Sequence, residues 1–264
     1  RRNLAPRAGF SYALGRSRQT VVRAGAGIFY DLLGSRELII AGVRMPPFFQ
    51  RASIRQPAFP NILEALSAST PETNLDLLDY HLLQPYTLQY QLQIERRLAG
   101  GLAAQLAYAG SRGVHLMGFI PEINPNRPQI LPGGELFFPE TLNRLNPAFG
   151  TVAMRRSQFD SSYHGLQASL ISPAARRLRF QIKYAWSKSL DNCSSSIYTD
   201  FVNSSGVPTM FNYRANRGRS DFDMRHVLAA NFSWALPAPS GGPFKLALGG
   251  WELHATLQAQ SGTP

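Results

Sequence analysis

The chain of 264 residues carries a single cysteine, Cys193. One thiol excludes an internal disulfide and any cysteine-built zinc cluster. No run of about 18 apolar residues occurs, so no segment is written to cross a bilayer as a helix. The five histidines, His81, His115, His164, His226 and His254, stand apart, with no HExxH helix and no pair at metal-ligand spacing. They read as polar groups of a wall or a loop. A G-x-S-x-G elbow and a Walker loop are missing, and Gly25 and Gly27 lack the third glycine and following helix of a dinucleotide loop. Close strand packing accounts for those two glycines. These absences lead to the expectation of no catalytic constellation, no metal and no cofactor, and therefore of a protein that is not an enzyme.

Acidic residues are scarce beside basic ones, 16 against 27, for a formal charge of +11. Such an excess raises the question of nucleic-acid binding. The cations are not gathered on one stripe, and no zinc finger, helix-turn-helix or RNA-binding aromatic motif is present. Arg16, Arg18, Arg96, Arg97, Arg176, Arg177 and Lys245 fall at or beside short turns, as solvated turn charges or as contacts to anionic head groups. No nucleic-acid partner is expected.

What the chain does have is alternation. In residues 178–189, Leu178, Phe180, Ile182, Tyr184 and Trp186 share one parity, while Arg179, Gln181, Lys183, Ser187 and Ser189 share the other. Successive strand side chains point to opposite faces, so this segment has one apolar and one polar wall. Residues 86–96 repeat the pattern, with Tyr86, Leu88, Tyr90, Leu92 and Ile94 against Thr87, Gln89, Gln91, Gln93 and Glu95. A helical period of 3.6 would scatter those residues around a cylinder. Weaker versions run through 8–14, 21–31, 102–110, 163–171, 227–236 and 246–260.

The spacing between these eight segments is uneven in a regular way. The connections 15–19, 99–101, 173–177 and 237–244 are short and carry Gly, Pro or Arg, as hairpin turns do. Between them lie 32–85, 111–162 and 190–222, far longer than ordinary hairpin loops. Short turns at one end and long loops at the other, joined by alternating strands of about 10 residues, are the pattern of an outer-membrane β-barrel. The expected fold is therefore all-β: an antiparallel up-and-down meander of about eight strands from a larger transmembrane barrel, with short periplasmic turns and long extracellular loops. Tyr12, Tyr30, Tyr86, Tyr108, Tyr184, Trp186, Phe232 and Trp234 fall near strand ends, where amphipathic rings suit a membrane interface.

With the short turns placed in the periplasm, both chain ends fall on the extracellular side. The sequence opens with neither a Met nor an apolar signal segment. Residues 1–264 are therefore expected to be part of a longer barrel whose further strands pair with residues 8–14 and 246–260, because unpaired backbone groups in lipid cost several kcal/mol each.

Two groups of residues draw attention as sites. The loop 32–85 holds Met45, Pro46, Pro47, Phe48 and Phe49 between Arg44 and Arg51. Arg44, Phe48, Phe49 and Arg51 are candidate ligand contacts, and packing against a neighbouring loop is the other use open to them. The charges Arg217, Arg219, Asp221, Asp223 and Arg225 have a distinctive spacing and read as a salt-bridged loop anchor, with ligand contact as the alternative. Asn192-Cys193-Ser194 and Asn203-Ser204-Ser205 match the glycosylation sequon, a pattern short enough to recur by chance.

Several strings carry a resemblance in a consistent order: NLAPRAGF at 3–10, VRAGAGIFYD at 22–31, YAGSRG at 108–113, YAWSKSLD at 184–191, SDFDMRH at 220–226 and the closing segment 250–264. They resemble the barrel of TonB-dependent outer-membrane receptors, in particular the large Oar-like receptors, common in Acidobacteria, that carry an N-terminal carboxypeptidase-regulatory-like domain. The resemblance implies uptake of a scarce solute in the bacterial outer membrane, with the TonB–ExbB–ExbD complex moving a plug inside the barrel. Partners implied are outer-membrane lipid, the rest of the barrel with its plug, and a solute, glycan or peptide ligand. Plug, N-terminal domain and TonB box are not found in residues 1–264, which would form roughly a third of a barrel of about 22 strands. A passive or adhesive barrel without energy coupling, or a soluble β-sandwich binding protein, would share the alternation.

Overall fold

The polar and apolar parities are gathered into a single layer of sheet. A computed structural model describes residues 3–32, 39, 42–49, 59–61, 73–125, 128–139, 144–173, 177–194, 211–237, 241 and 249–264. Its strands are β1 (Arg7–Leu14), β2 (Thr20–Tyr30), β3 (Leu75–Leu78), β4 (Tyr86–Arg97), β5 (Ala103–Ile120), β6 (Gln129–Ile130), β7 (Leu136–Phe137), β8 (Val152–Ile171), β9 (Leu178–Asp191), β10 (Gly218–Arg219), β11 (His226–Ala235) and β12 (Glu252–Gln260). Eight of them form an antiparallel meander in the order β1-β2-β4-β5-β8-β9-β11-β12. They are the eight segments expected from alternation.

Residues directly opposite one another in an antiparallel pair share a face. Following the register therefore carries one face across the whole sheet. The row through the middle of the layer runs Val22, Ile94, Leu106, Ala168, Tyr184, Leu228, and a neighbouring row runs Ala24, Leu92, Tyr108, Leu166, Trp186. On the opposite face the rows read Arg23, Gln93, Ala107, Gln167, Ala185 and Gly25, Gln91, Ala109, Gly165, Ser187. No second sheet covers the apolar side among the described residues: Leu92 is 47% exposed, Leu106 48% and Trp186 52%. A sandwich would have buried those side chains.

The turns all fall at one end. Between β1 and β2 the chain reverses over Gly15 and Arg18, both with positive φ, and the Arg18 N–H donates to the Gly15 carbonyl at 3.3 Å. Between β4 and β5 a 3-10 turn at Ala99–Gly101 uses Gly100 and Gly101 at φ of 71° and 77°, which glycine adopts without steric penalty.

At the other end the strands outrun the sequence expectation. β5 and β8 continue through residues 111–120 and 152–162, which alternation had left inside a long loop. A register shift on each side of Leu116 bends β5 here, and His115 sits at φ 55° in the bulge. β9 stops pairing with β8 at Ser161, and the edge it leaves is taken by β3, which runs parallel to β8 from Leu75 opposite Val152 to Leu78 opposite Arg155. β10 likewise adds to the top of β9, and β6 with β7 makes a separate small hairpin. The buried core lies in this tier: Ile120 and Phe159, each 1% exposed, packed by Leu116, Ile123, Cys193 and Tyr213.

Candidate functional site

The polar face is a wall of neutral amides and hydroxyls crossed by a few ion pairs. Arg23 Nη1 lies 2.6 Å from Glu95 Oε2, and Arg179 Nη2 reaches Glu252 at 3.1 Å and Ser233 Oγ at 2.9 Å. Asn231 accepts a hydrogen bond from Thr256 Oγ1 at 3.1 Å. These pairs are half exposed, where each stabilises by about 0–1 kcal/mol, so they shape a hydrophilic surface more than they hold the sheet.

The apolar face is tall enough to cover most of the apolar band of about 25 Å that an outer-membrane barrel presents to lipid. From Leu178 to Trp186 the strand covers roughly 26 Å at about 3.3 Å per residue, or about 20 Å across a membrane at the usual tilt near 40°. Tyrosine and histidine mark its upper border. Tyr108 Oη lies 2.7 Å from His164 Nδ1 on the next strand, and Tyr184 Oη lies 2.7 Å from His226 Nδ1 in the same relation.

Above that border stands the tier built on the extensions of β5 and β8, where several charged side chains are held in pairs. Arg155 is 3% exposed, ion-paired with Asp76 on β3, and its guanidinium carbon lies 5.1 Å from the Phe119 ring centroid. Arg156 Nε donates to Asp79 Oδ2 at 2.8 Å. That hydrogen bond, with the backbone N–H of His81, holds the Asp79 carboxyl below its ordinary range. Asp160 accepts from Asn192 at 3.2 Å and is ion-paired with Arg217.

The five charges singled out by spacing lie together against this tier. Asp223, 2% exposed, accepts the Ser189 N–H at 2.7 Å and the Arg219 Nε at 2.9 Å. Burial pushes its carboxyl upward, but the Ser189 N–H and the cations Arg219 and Arg225 outweigh burial and leave it below the ordinary range. Ser220, fully buried, shares a hydrogen bond with Ser189 Oγ at 2.8 Å, and the Asp221 N–H donates to Ser194 Oγ at 3.1 Å. The Arg225 carbonyl accepts the Ser187 N–H at 3.0 Å.

Of the loop candidates, Arg44, Phe48 and Phe49 are described and Arg51 lies outside the described residues. The N–H groups of Phe48 and Phe49 both donate to the Met45 carbonyl, at 3.0 and 3.1 Å, and the Phe48 side chain is 79% exposed. A cavity of about 770 Å³ opens in the same tier as the Arg156–Asp79 pair, lined by Ile123, Ile130, Leu136, Leu145, Met154 and Phe211, with Arg156, Asn212 and Tyr213 as polar members. Its volume and apolar lining suit a small-molecule group or a side chain of a peptide. Sequence reasoning did not single out these residues, because they come from four separate stretches with no common spacing. Among the described residues no group of three or more His, Cys, Asp or Glu is placed to hold a metal ion, and no helix is long and apolar enough to cross a membrane.

Comparison with known proteins bears on the sheet as a whole. The family model described as outer membrane beta barrel domain matches residues 1–264. Among solved structures, the chain is similar to the outer membrane transporter YddB from Escherichia coli, with a TM-score of 0.54 and 10% sequence identity over 98% of this chain. It spans 33% of that transporter's length, and at such identity the likeness is one of fold. No curated protein matches the chain.

Proposed function

The chain belongs to the outer membrane beta barrel domain family, which places it in the bacterial outer membrane, and from that premise we propose that it forms part of the wall of a receptor that takes up a scarce solute with energy coupled through TonB. The observation that carries this reading is the combination of a two-faced wall with a built tier above it. Apolar rows meet lipid, amide-rich rows face an aqueous interior, and a buried polar lattice holds an apolar cavity at the loop end. A fold shared with an outer membrane transporter three times as long as this chain supports it.

In this reading β1 and β12 are seams to further strands of the same barrel, because unsatisfied N–H and C=O groups in hydrocarbon cost several kcal/mol each. The polar face meets a plug domain. Arg217, Arg219, Asp221, Asp223 and Arg225 anchor the 211–225 segment to β8 and β9, and Arg44, Phe48 and Phe49 belong to a loop that meets the ligand. The role is binding and transport, without a catalytic step.

The test is accumulation by cells expressing the intact protein, offered a panel of labelled iron chelates, cobalamin, oligosaccharides and peptides. One class accumulates, and accumulation stops when TonB is deleted or the proton gradient is dissipated. Uptake that continues under both treatments makes the protein a passive barrel.

A further inference from the structure

The two strands that carry the loop-end tier each hold an extra residue, and together these bulges decide which side of the wall the cavity lies on. From Gly113 to Leu116 β5 takes three steps against the two of β8 from Ser161 to Phe159. From Phe159 to Arg156 β8 then takes three against the two of β5 from Leu116 to Gly118. Each bulge reverses the parity of its own strand. Gly113 and Ser161 lie on the amide-rich wall, so Leu116, Gly118, Phe159 and Arg156 lie on that side too, and a Cβ at Gly118 would indeed meet the Phe159 ring. The cavity lined by Met154 and Arg156 is therefore on the interior side of the wall, away from lipid tails.

Its apolar lining is uncovered. Ile130, Leu136 and Leu145 are exposed, although the Ile120 and Phe159 core, which shares Ile123 and Tyr213 with the cavity, is shut off from solvent. β6 and β7, which carry Ile130 and Leu136, pair only with each other among the described residues. Apolar surface left wet around a concave site is what an apolar ligand would cover.

The polar corner offers donors and little net charge. Arg156 is the one charged residue among the described lining, and its Nε donates to Asp79 Oδ2 at 2.8 Å, so the pair is neutral together. The Tyr213 hydroxyl lies beside the same guanidinium, and its ring is fixed edge-on against Phe159. A hydroxyl oxygen facing a guanidinium turns its own proton outward. The Asn212 carboxamide oxygen accepts the Ala215 N–H at 3.3 Å, which leaves Nδ2 to donate.

Donors at one corner of an apolar chamber, with the cation there already neutralised, fit a ligand that brings an uncharged acceptor. We propose that this cavity binds a small, uncharged, largely apolar molecule through a carbonyl or ether oxygen held by Arg156, Asn212 and Tyr213. Its volume of about 770 Å³ lies within the range of about 300–1,000 Å³ that holds drug-sized molecules. An anionic chelate would meet a guanidinium already shared with Asp79. A glycan would press hydroxyls against Ile123, Leu145 and Met154, where they find no partners. The inference rests on the reading of this end of the wall as the side that receives a solute, and it names the kind of solute.

The experiment uses the intact protein, folded in detergent, and benzophenone, an apolar ketone that forms adducts with C–H bonds on irradiation. Peptide mass spectrometry should find saturable adducts at Met154 or Leu136, competed by excess fluorenone, while adducts on the lipid-facing rows rise in proportion to the probe. The para-carboxylate and para-trimethylammonium derivatives should label the cavity roughly tenfold less at matched concentration. Leu136→Trp, which fills the chamber from an exposed hairpin, should abolish saturable labelling. Tyr213→Phe, which keeps the ring against Phe159, should raise the half-saturating concentration roughly fivefold. Adducts on the lipid-facing rows equal to the parent's show that each variant is folded. Equal labelling by the charged derivatives, no saturable adduct in the cavity, or saturable labelling that survives Leu136→Trp would overturn the proposal. Stronger competition by a leucine-rich peptide than by fluorenone would overturn the assignment to a small molecule. Because neither TonB nor a proton gradient is present, saturable labelling of a protein that fails in uptake would sink the transport reading alone. Coupled uptake of a ferric chelate by a protein whose cavity is not labelled would sink this inference alone.

Discussion

The Phe159 ring occupies the space where a side chain at residue 118 would begin: a Cβ built on Gly118 falls well inside contact distance of two ring carbons of Phe159. Phe159 is 1% exposed and packs edge-on against Tyr213, with ring centroids 5.5 Å apart, so it has little room to retreat. Gly118→Ala therefore destabilises the loop-end tier by about 1–3 kcal/mol, the usual range for overpacking. Limited proteolysis of the intact protein should show faster cutting in the long loops, with heat-resistant migration of the barrel on gels unchanged. A variant as protease-resistant as the parent would mean that the Phe159 core does not hold the loops.

The register predicts opposite outcomes for neighbouring residues. Leu106 lies on the lipid-facing row between Ile94 and Ala168, and Gln105 lies on the polar wall between Glu95 and Ser169. Arginine at a lipid-facing position near the bilayer midplane costs about 2–4 kcal/mol, and the penalty does not apply on the lumenal face. Leu106→Arg should lower the denaturant midpoint of the folded barrel in vesicles, and Gln105→Arg should leave it in place. Equal losses at the two positions would mean that the faces have been read the wrong way or that neither meets lipid.

How much of this was legible in the residues depends on which tier they occupy. In β9 the parity of Leu178, Phe180, Ile182, Tyr184 and Trp186 was enough to assign faces, because one side meets hydrocarbon and the other water, and the register then set Phe180 against Phe232 and Leu178 against Trp234. The upper part of β8 gave no such signal. Arg155, Ser157 and Phe159 share one parity and are all buried, so hydrophobicity does not track the pleat where covering segments supply partners to polar side chains, Asp76 to Arg155 and the Leu83 N–H to Ser157. The Asp76–Arg155 and Asp79–Arg156 pairs bridge 79 and 77 residues of sequence, and no local spacing encodes them. The cluster 217–225 could be noticed from its charges, but Asp160 and the Ser189 N–H, to which it is tied, could not be found that way.

Sidedness follows from the placement of turns and can be read with a thiol reagent. Cys193 is half buried beside the Phe159 core, so the background is Cys193→Ser, with new single cysteines at Ile130 and Arg16. Ile130 is 76% exposed in the β6–β7 hairpin at the loop end, and Arg16 is exposed in the first short turn. A membrane-impermeant maleimide should label Ile130→Cys in intact cells and reach Arg16→Cys only after the outer membrane is opened. Labelling of Arg16→Cys in intact cells would invert the orientation and move the cavity to the periplasm.

Acid should open the loop-end tier before it disturbs the strands in lipid. Asp79 and Asp223 both hold their protons less tightly folded than free, Asp79 through Arg156 and the His81 N–H, Asp223 through the Ser189 N–H and Arg219 against the opposing effect of burial. For a depressed carboxyl the stabilisation is fully present above the ordinary value near 4 and is lost as pH falls through the lower, folded value. Protonating Asp223 also weakens the acceptor of a buried N–H, a loss of about 1–3 kcal/mol when such a group is left unpaired. Amide hydrogen exchange in residues 211–225, followed from about pH 5 down to about pH 2, should quicken relative to the intrinsic rate, while the central residues of β4 and β9 stay protected. Asp223→Asn removes the charge but keeps an acceptor oxygen, so it should raise exchange in this segment at neutral pH and flatten its response to acid. If the segment in the parent protein exchanges at a pH-independent relative rate across that range, the Asp223 ion pair contributes nothing to holding it down.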